Sequence, residues 1–486
     1  MADNETPHIL PRDKLLRDSF TPAETLTFIC ILVTALIGFV AADPRSYWIL
    51  GYFIIAGAMT LVILKTHEAT HPFFLDFLWP RFALLATPAV WILLQYVTGI
   101  LQDPLHTIQT GKESYYVMEA PKLWLPTSTA PGQNAVTLVG FCSVYFLTIC
   151  LFLVPKSRSF FERVLPWLCL LAVLTCLYGY LQLALDLEAP LFTKGTGRDD
   201  FFAFFPYDGQ WAAFAMLWST ACIALALLKA RYEDAPPFLQ STAPWYLTGA
   251  LLLGLSGCFV QAKLPAVLLL LLLSILLLLT MVTYLQIKRD PHHASISFLS
   301  GFSSAAVFAI AIFRVFQPSA DNELYASLRR AAVDMFRDNP LFGWGMDGFA
   351  QLAPFYLDDR LLGARYERAA SDGLQFLAEF GLIGYLFPLI TFLYLLCRYL
   401  KGRKDIQLTN HLLLACAAVL GIGCIDTPFM SPAVFMSFFI IFFSALRWAD
   451  LSRSKVDEVD ARPTLVTPAK LRRVPFYTEQ GKETFK

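Results

Sequence analysis

Arg330, Asp334 and Arg337 fall at i, i+4 and i+7 and so share one side of a helix. Two guanidiniums spaced this way grip an anionic group, such as a phosphate ester, through paired charge-assisted hydrogen bonds. A solvated charged face on an interfacial helix fits the same spacing. The residues that follow, Asp338-Asn339-Pro340-Leu341-Phe342-Gly343-Trp344-Gly345, combine a turn, two glycines and an indole. Glycines there suit a tight turn or a close backbone approach. Trp344 offers a face on which a sugar can stack, or an aromatic anchor at a membrane–water interface. Lys263 stands alone between two apolar runs, where a cation is costly unless it snorkels or meets an anion; a loop lysine that sets topology is the plainer alternative. His67-Glu68-Ala69-Thr70-His71 spells H-E-x-x-H, which on one helix face offers two zinc ligands and a base. Pro72 disfavours helical backbone at His71 and no third ligand is evident in the sequence, so the motif reads as a chance match and no metal is expected. His292-His293, between basic residues and the next apolar segment, carries no further chemistry.

These residues need elements to hold them, and composition decides which. The chain has 486 residues, 56% hydrophobic and 16% charged, where soluble domains carry about 25% charge. That describes a polytopic membrane protein, all-α, since a helix satisfies its own backbone in lipid. The formal net charge is zero, so no electrostatic argument points to nucleic acid. The ten cysteines all lie in apolar segments, which excludes a disulfide framework or a zinc cluster as the reading. Met1 to Phe20 is polar and of mixed charge, unlike a cleavable signal peptide.

Twelve segments are long and apolar enough to read as transmembrane helices: 26–43, 47–64, 82–101, 135–155, 164–186, 209–230, 243–262, 264–286, 298–316, 373–398, 409–427 and 429–447. The least marked divisions are Lys263-Leu264-Pro265 and Asp426-Thr427-Pro428. Lys and Arg cluster on alternate loops, around Lys65 and Arg81, Lys156 to Arg163, Arg231, Lys288-Arg289 and Lys401 to Lys404. By the positive-inside rule these are cytoplasmic and so are both termini. The expected organisation is a cytoplasmic segment 1–25, helices one to nine over 26–316, a large periplasmic loop 317–372, helices ten to twelve over 373–447, and a cytoplasmic tail 448–486. Within the loop, Leu324, Leu328, Ala331, Ala332, Met335 and Phe336 recur at helical spacing and predict an amphipathic helix.

The loop resembles that of the O-antigen ligase and O-antigen polymerase family of bacterial membrane glycosyltransferases. That family carries a D-x-P-L-x-G-x-G run, then a His-Asn-x-x-Leu-Gln-like run, then Glu-x-Gly-Leu-x-Gly. Here the first is Asp338 to Gly345 and the last is Glu379-Phe380-Gly381-Leu382-Ile383-Gly384. Aligning Leu374-Gln375 with the family's Leu-Gln puts Ala370 where the family has its functional histidine. The resemblance implies twelve helices with the large external loop between the ninth and tenth. It marks Asp338, Pro340, Gly343, Gly345 and Gln375 as loop framework. It further implies that Lys263, matching a family arginine, and Arg198, ahead of an aromatic run, bind the donor's diphosphate with Arg330 and Arg337.

The function implied is transfer or polymerisation of a glycan from an undecaprenyl-diphosphate-linked donor, outside the bacterial inner membrane, in cell-surface polysaccharide or lipopolysaccharide biosynthesis. The partners are that donor, a lipid or glycan acceptor and membrane lipids; no cofactor is implied. Fixed cations stabilise the diphosphate as the anomeric bond breaks, without metal. A base must take the acceptor's proton, and Asp372 and Glu379 are the carboxylates nearest in sequence to Ala370. Two alternatives stay open: a catalytically silent relative that binds lipid-linked glycan, and a polysaccharide or lipid transporter, which would bring internal repeats and broken helices.

Overall fold

The computed structural model describes residues 20–40, 56–66, 75–102, 104–110, 113–122, 124–129, 131–187, 201–230, 237–287, 292–317, 322–357, 366, 368–401, 407–460, 476–477 and 483–484. Over these residues the chain is an all-α bundle. Its helices are α1 (Pro22–Val40), α2 (Ala56–Thr66), α3 (Leu75–Gly99), α4 (Pro131–Leu153), α5 (Arg158–Ala184), α6 (Asp208–Ala230), α7 (Ala243–Leu255), α8 (Lys263–Gln286), α9 (His293–Phe316), α10 (Asn322–Asp338), α11 (Gly348–Tyr356), α12 (Asp372–Leu400), α13 (Gln407–Gly423) and α14 (Pro432–Asp460). Each of the twelve apolar segments carries one of these helices. Eight of them are long and apolar enough to cross a membrane; α2, the apolar part of α4, α7 and α13 are shorter. Both weakly marked divisions are real breaks. α7 ends in a short 3-10 turn, Ser256–Cys258, before α8 begins at Lys263, and α13 is separated from α14 by the turn Pro428–Met430.

One element escapes the apolar-segment reading. Leu105–Thr110 (β1) and Glu113–Met118 (β2) form an antiparallel hairpin between α3 and α4, with Leu105 paired to Met118. Its strands are too short and too polar to register as membrane segments.

α6 and α14 run through the middle of the bundle and are almost wholly buried. Lipid is as apolar as leucine, so helices associate there by close packing and by polar groups that find partners. Trp218 donates Nε1–H to Ser437 Oγ at 3.0 Å, and Thr409 Oγ1 donates to the Ala445 carbonyl at 3.0 Å. Ser274 and Ser304 donate their hydroxyls to each other's carbonyls at 3.0 and 2.8 Å, fixing the antiparallel register of α8 on α9.

The two ends of the bundle differ in chemistry. At one end Arg447 donates to the Pro155 carbonyl and pairs with Asp450 at 2.7 Å, Arg81 reaches the same carboxylate at 3.4 Å, and Lys229 pairs with Glu162 at 3.5 Å. At the other end lie α10, α11 and the hairpin. A second, smaller core is built there from Leu328, Ala331, Ala332 and Met335 of α10 with Trp344, Phe349, Leu352 and Ala378, and Leu105 and Met118 of the hairpin pack on it. The predicted stripe of α10 is the face it buries.

α12 is interrupted where it meets this small core. Gly381 adopts φ +65° and ψ −175° inside the helix, a conformation that L-residues avoid. A Cβ built there would lie 2.4 Å from the Leu341 carbonyl oxygen. Gly381→Ala is therefore expected to cost at least about 1–2 kcal/mol from the backbone alone, and more from the clash. Thermal unfolding of the purified protein in detergent measures it.

Candidate active site at the loop end of the bundle

The break in α12 and the glycine-aromatic run fit each other. Trp344 N–H donates to the Ala378 carbonyl at 3.1 Å and Gly345 N–H to the Glu379 carbonyl at 2.8 Å. In return Leu382 and Ile383 donate to the Pro340 and Leu341 carbonyls at 2.8 and 3.1 Å. The two sequence blocks that carry the family resemblance are thus paired backbone to backbone. Gly343 and Gly345 both have positive φ, +67° and +82°. A Cβ on Gly343 would meet the Glu379 carbonyl at 2.5 Å, and one on Gly345 the Thr127 carbonyl at 2.7 Å. Gln95 of α3 donates to both blocks, to the Phe342 carbonyl at 2.8 Å and the Phe380 carbonyl at 2.9 Å. Asn339 and Thr127 both donate to the Gly343 carbonyl, at 2.6 and 2.7 Å.

Beside this frame lies a group of buried polar side chains. Ser371 caps α12: its Oγ accepts from Leu374 N–H at 3.3 Å and donates to the Cys424 carbonyl at 3.0 Å. The next residue, Asp372, donates its N–H to the Asp426 carbonyl at 3.0 Å and accepts from Phe429 N–H through Oδ2. Its Oδ1 is buried with no hydrogen-bond partner. Asp426 accepts from the Tyr207 hydroxyl at 2.8 Å and from Thr427 N–H at 2.8 Å. Gln210 closes the turn from α6, donating to the Thr427 carbonyl at 3.2 Å. Burial pushes the Asp426 carboxyl above the usual carboxylate range; the Tyr207 hydroxyl, the Thr427 amide and the charges of Arg368 and Arg329 pull the other way. Burial, then the Asp426 charge, also raises Tyr207.

The sequence-predicted residues divide into three groups. Asp338, Pro340, Gly343, Gly345 and Gln375 lie in the frame: Asp338 accepts from the Tyr356 hydroxyl at 2.7 Å, and Gln375 accepts from Ala369 N–H at 3.1 Å while donating to Glu379 at 3.0 Å. Glu379 itself is buried and accepts from Phe349 N–H at 3.4 Å, so its carboxylate ties the start of α11 to α12. Trp344 is fully buried and donates Nε1–H to the Met335 carbonyl at 2.8 Å. Neither ring face is open to a sugar, and the indole anchors the small core.

Arg330 and Arg337 form the second group. They lie on the exposed face of α10, and Arg337 pairs with Asp334 at 2.9 Å. They are not gathered onto the buried carboxylates. Arg329 and Arg368 are the arginines whose charge reaches Asp426. Lys263 forms the third: its Nζ donates to the Gln317 carbonyl at 2.6 Å, at the end of α9. Arg198 and the His67 to His71 motif lie outside the described residues.

Ala370 sits between Arg368 and Asp372, half-buried, with φ +57°. Histidine tolerates that left-handed region better than most residues. Sequence reasoning passed over Tyr207, Gln95 and Arg368, and read Asp426 only as a break between helices. The available signal was a carboxylate, Asp426, standing alone between two apolar segments.

A membrane bundle whose loop folds back on a broken helix around buried carboxylates and nearby arginines defines a polytopic membrane protein with a polar site at one end. Residues 235–389, from ahead of α7 to beyond the break in α12, match the O-antigen ligase family model. Over those residues, about a third of the chain, it is similar to the O-antigen ligase family. No curated protein matches the chain.

Two outcomes are expected. Trp344→Ala should destabilise by about 3–5 kcal/mol, as for other buried tryptophans, and a smaller loss in Trp344→Phe isolates the bond to Met335; thermal unfolding measures both. For Asp426, a carboxyl raised in the folded state binds its proton there before the unfolded chain does, so wild-type stability falls as pH rises from the ordinary carboxylate range through the raised value. Melting temperature followed from pH 4 to pH 8 should show this slope, and Asp426→Asn should lessen it.

Proposed function

We propose that this protein is a metal-independent glycosyltransferase that transfers or polymerises glycan from an undecaprenyl-diphosphate-linked donor on the outer side of the bacterial inner membrane. Both termini are then cytoplasmic and residues 317–372 form the periplasmic loop. This orientation is supported by the cluster of Arg81, Arg447 and Lys229 at the bundle end opposite the candidate site.

The observation that carries the reading is the Asp372 carboxylate. One oxygen is held by the Phe429 amide, and the other is buried without a partner, two residues from the position of the family's histidine. In the proposed step an acceptor hydroxyl attacks the anomeric carbon of the donor sugar. The bond from that carbon to the diphosphate breaks, and the diphosphate leaves with the electron pair. The hydroxyl proton passes to Asp372. Lys263, Arg198, Arg330 and Arg337 are proposed to hold the departing charge, joined by Arg368 and Arg329, whose charges reach the buried carboxylates. Glu379 is proposed as a positioning residue, because its carboxylate is engaged by Gln375 and the Phe349 amide.

The test compares two variants in a transfer assay with lipid-linked donors. Asp372→Asn keeps an acceptor for the Phe429 amide and removes the base, so transfer should fall about 10²–10⁴-fold. Ala370→His should then add little to the wild type. If Asp372→Asn is fully active, Asp372 is not the base. Ala370 also favours a second reading, a silent relative that binds lipid-linked glycan. That reading holds if the wild type is inactive with several donors and Ala370→His gains nothing.

A further inference from the structure

The hairpin of β1 and β2 reaches past the core it packs on. Side chains alternate across a strand, so Leu105, Thr107 and Gln109 share one face of β1. The register sets Met118 opposite Leu105 and Tyr116 opposite Thr107, on that same face. At the base of the face Leu105 and Met118 pack on the small core around Trp344. Farther out Thr107 and Gln109 are exposed, and Tyr116 is 66% exposed. The face therefore passes from apolar and covered to an open aromatic ring flanked by a hydroxyl and an amide.

A second open aromatic follows the hairpin. Glu119 N–H donates to the Pro104 carbonyl at 2.8 Å and Ser128 N–H to the Gln102 carbonyl at 3.3 Å, so both ends of the segment 119–128 are pinned to the link between α3 and β1. Between them Leu125 N–H donates to the Lys122 carbonyl at 3.0 Å, in a turn that carries Trp124, 69% exposed. The segment is fastened to the frame of the candidate site by Thr127, which donates to the Gly343 carbonyl at 2.7 Å.

Open rings at the edge of a membrane protein often sit in the headgroup layer. Here the face in question turns, at its base, onto loop residues and not onto the lipid-facing sides of the bundle helices. Residues 105–129 hold two lysines and two glutamates, so no net charge draws them to an anionic surface. A sugar fits the chemistry better. Its C–H groups meet the negative face of an aromatic ring, and its hydroxyls find a donor and acceptor in Thr107 and in Gln109.

We propose that Tyr116, Thr107 and Gln109 on this hairpin face, together with Trp124, form a binding platform for a glycan chain. It receives sugar units beyond the one whose anomeric bond is broken at the site; that assignment of place rests on the reaction proposed above, while the binding of sugar does not. All four residues lie outside the matched stretch 235–389.

The experiment uses the full-length protein in phosphatidylcholine nanodiscs. The probe is the surface polysaccharide of the source cells, released by mild acid, and polyethylene glycol of equal mass is the control. Wild type should bind the polysaccharide and not the control, with little dependence on salt, since no ion pair carries the contact. Tyr116→Ala and Trp124→Ala should each weaken binding roughly five- to thirtyfold, as truncation of an aromatic anchor does, and Tyr116→Phe should keep most of it. Both side chains are exposed, so the melting temperature should stay at the wild-type value. The proposal is overturned if the wild type does not bind, or if the double alanine variant binds as the wild type does. Brominated phosphatidylcholine reads the membrane alternative: quenching of wild-type emission that Trp124→Phe removes places Trp124 in the bilayer and overturns the platform. Absent glycan transfer, with polysaccharide binding intact and lost in Tyr116→Ala, ends the proposed reaction and leaves the platform standing.

Discussion

The break in α12 at Gly381 is the constraint on which the site depends. A helix interrupted at a membrane edge exposes carbonyls and amides that cost several kcal/mol each when left unpaired. In this chain the freed groups on both sides of Gly381 are taken up by the backbone of residues 340–345. The loop cannot leave without orphaning the helix, and the helix cannot straighten without ejecting the loop. Glycines are required wherever the two backbones approach, because any Cβ at Gly343 or Gly381 would fall within 2.6 Å of the opposing main chain. Gln95 then fastens α3 to both blocks, and Thr127 fastens the segment that follows the hairpin.

Two kinds of energetics hold the molecule together. Within the bundle, lipid replaces water and the hydrophobic effect does not separate helix from helix. Close packing around α6 and α14, with paired hydroxyls and indoles, does that work. At the loop end the small core around Trp344 is assembled by burial of apolar surface. The candidate site lies where these regimes meet. Its carboxylates are buried yet held by main-chain amides: Asp372 by Phe429, Asp426 by Thr427, and Glu379 by Phe349. Backbone amides give fixed geometry, which a reaction that moves a proton and a leaving group needs.

The sequence by itself determined the class, the number of apolar segments, the two weak breaks and the existence of α10. Those follow from local quantities: apolar length against bilayer thickness, and a period of 3.6 residues. Its resemblance to a known family singled out the two blocks 338–345 and 379–384. Only the tertiary structure decided that these blocks bind each other, because nothing local in Gly381 distinguishes a helix glycine from one at φ +65°. The structure likewise decided that Trp344 is an anchor and not a sugar platform, and that the charge of Arg329 acts on Asp426 while Arg330, one residue on, faces outward. A step of one residue turns a helical side chain by about 100°, so spacing alone could name a cationic helix face without saying which arginine meets the site. Asp426 with Tyr207, and Lys263 with Gln317, are pairs joined across 219 and 54 positions of chain respectively. Only the packing of α6, α8, α9 and α13 brings them together.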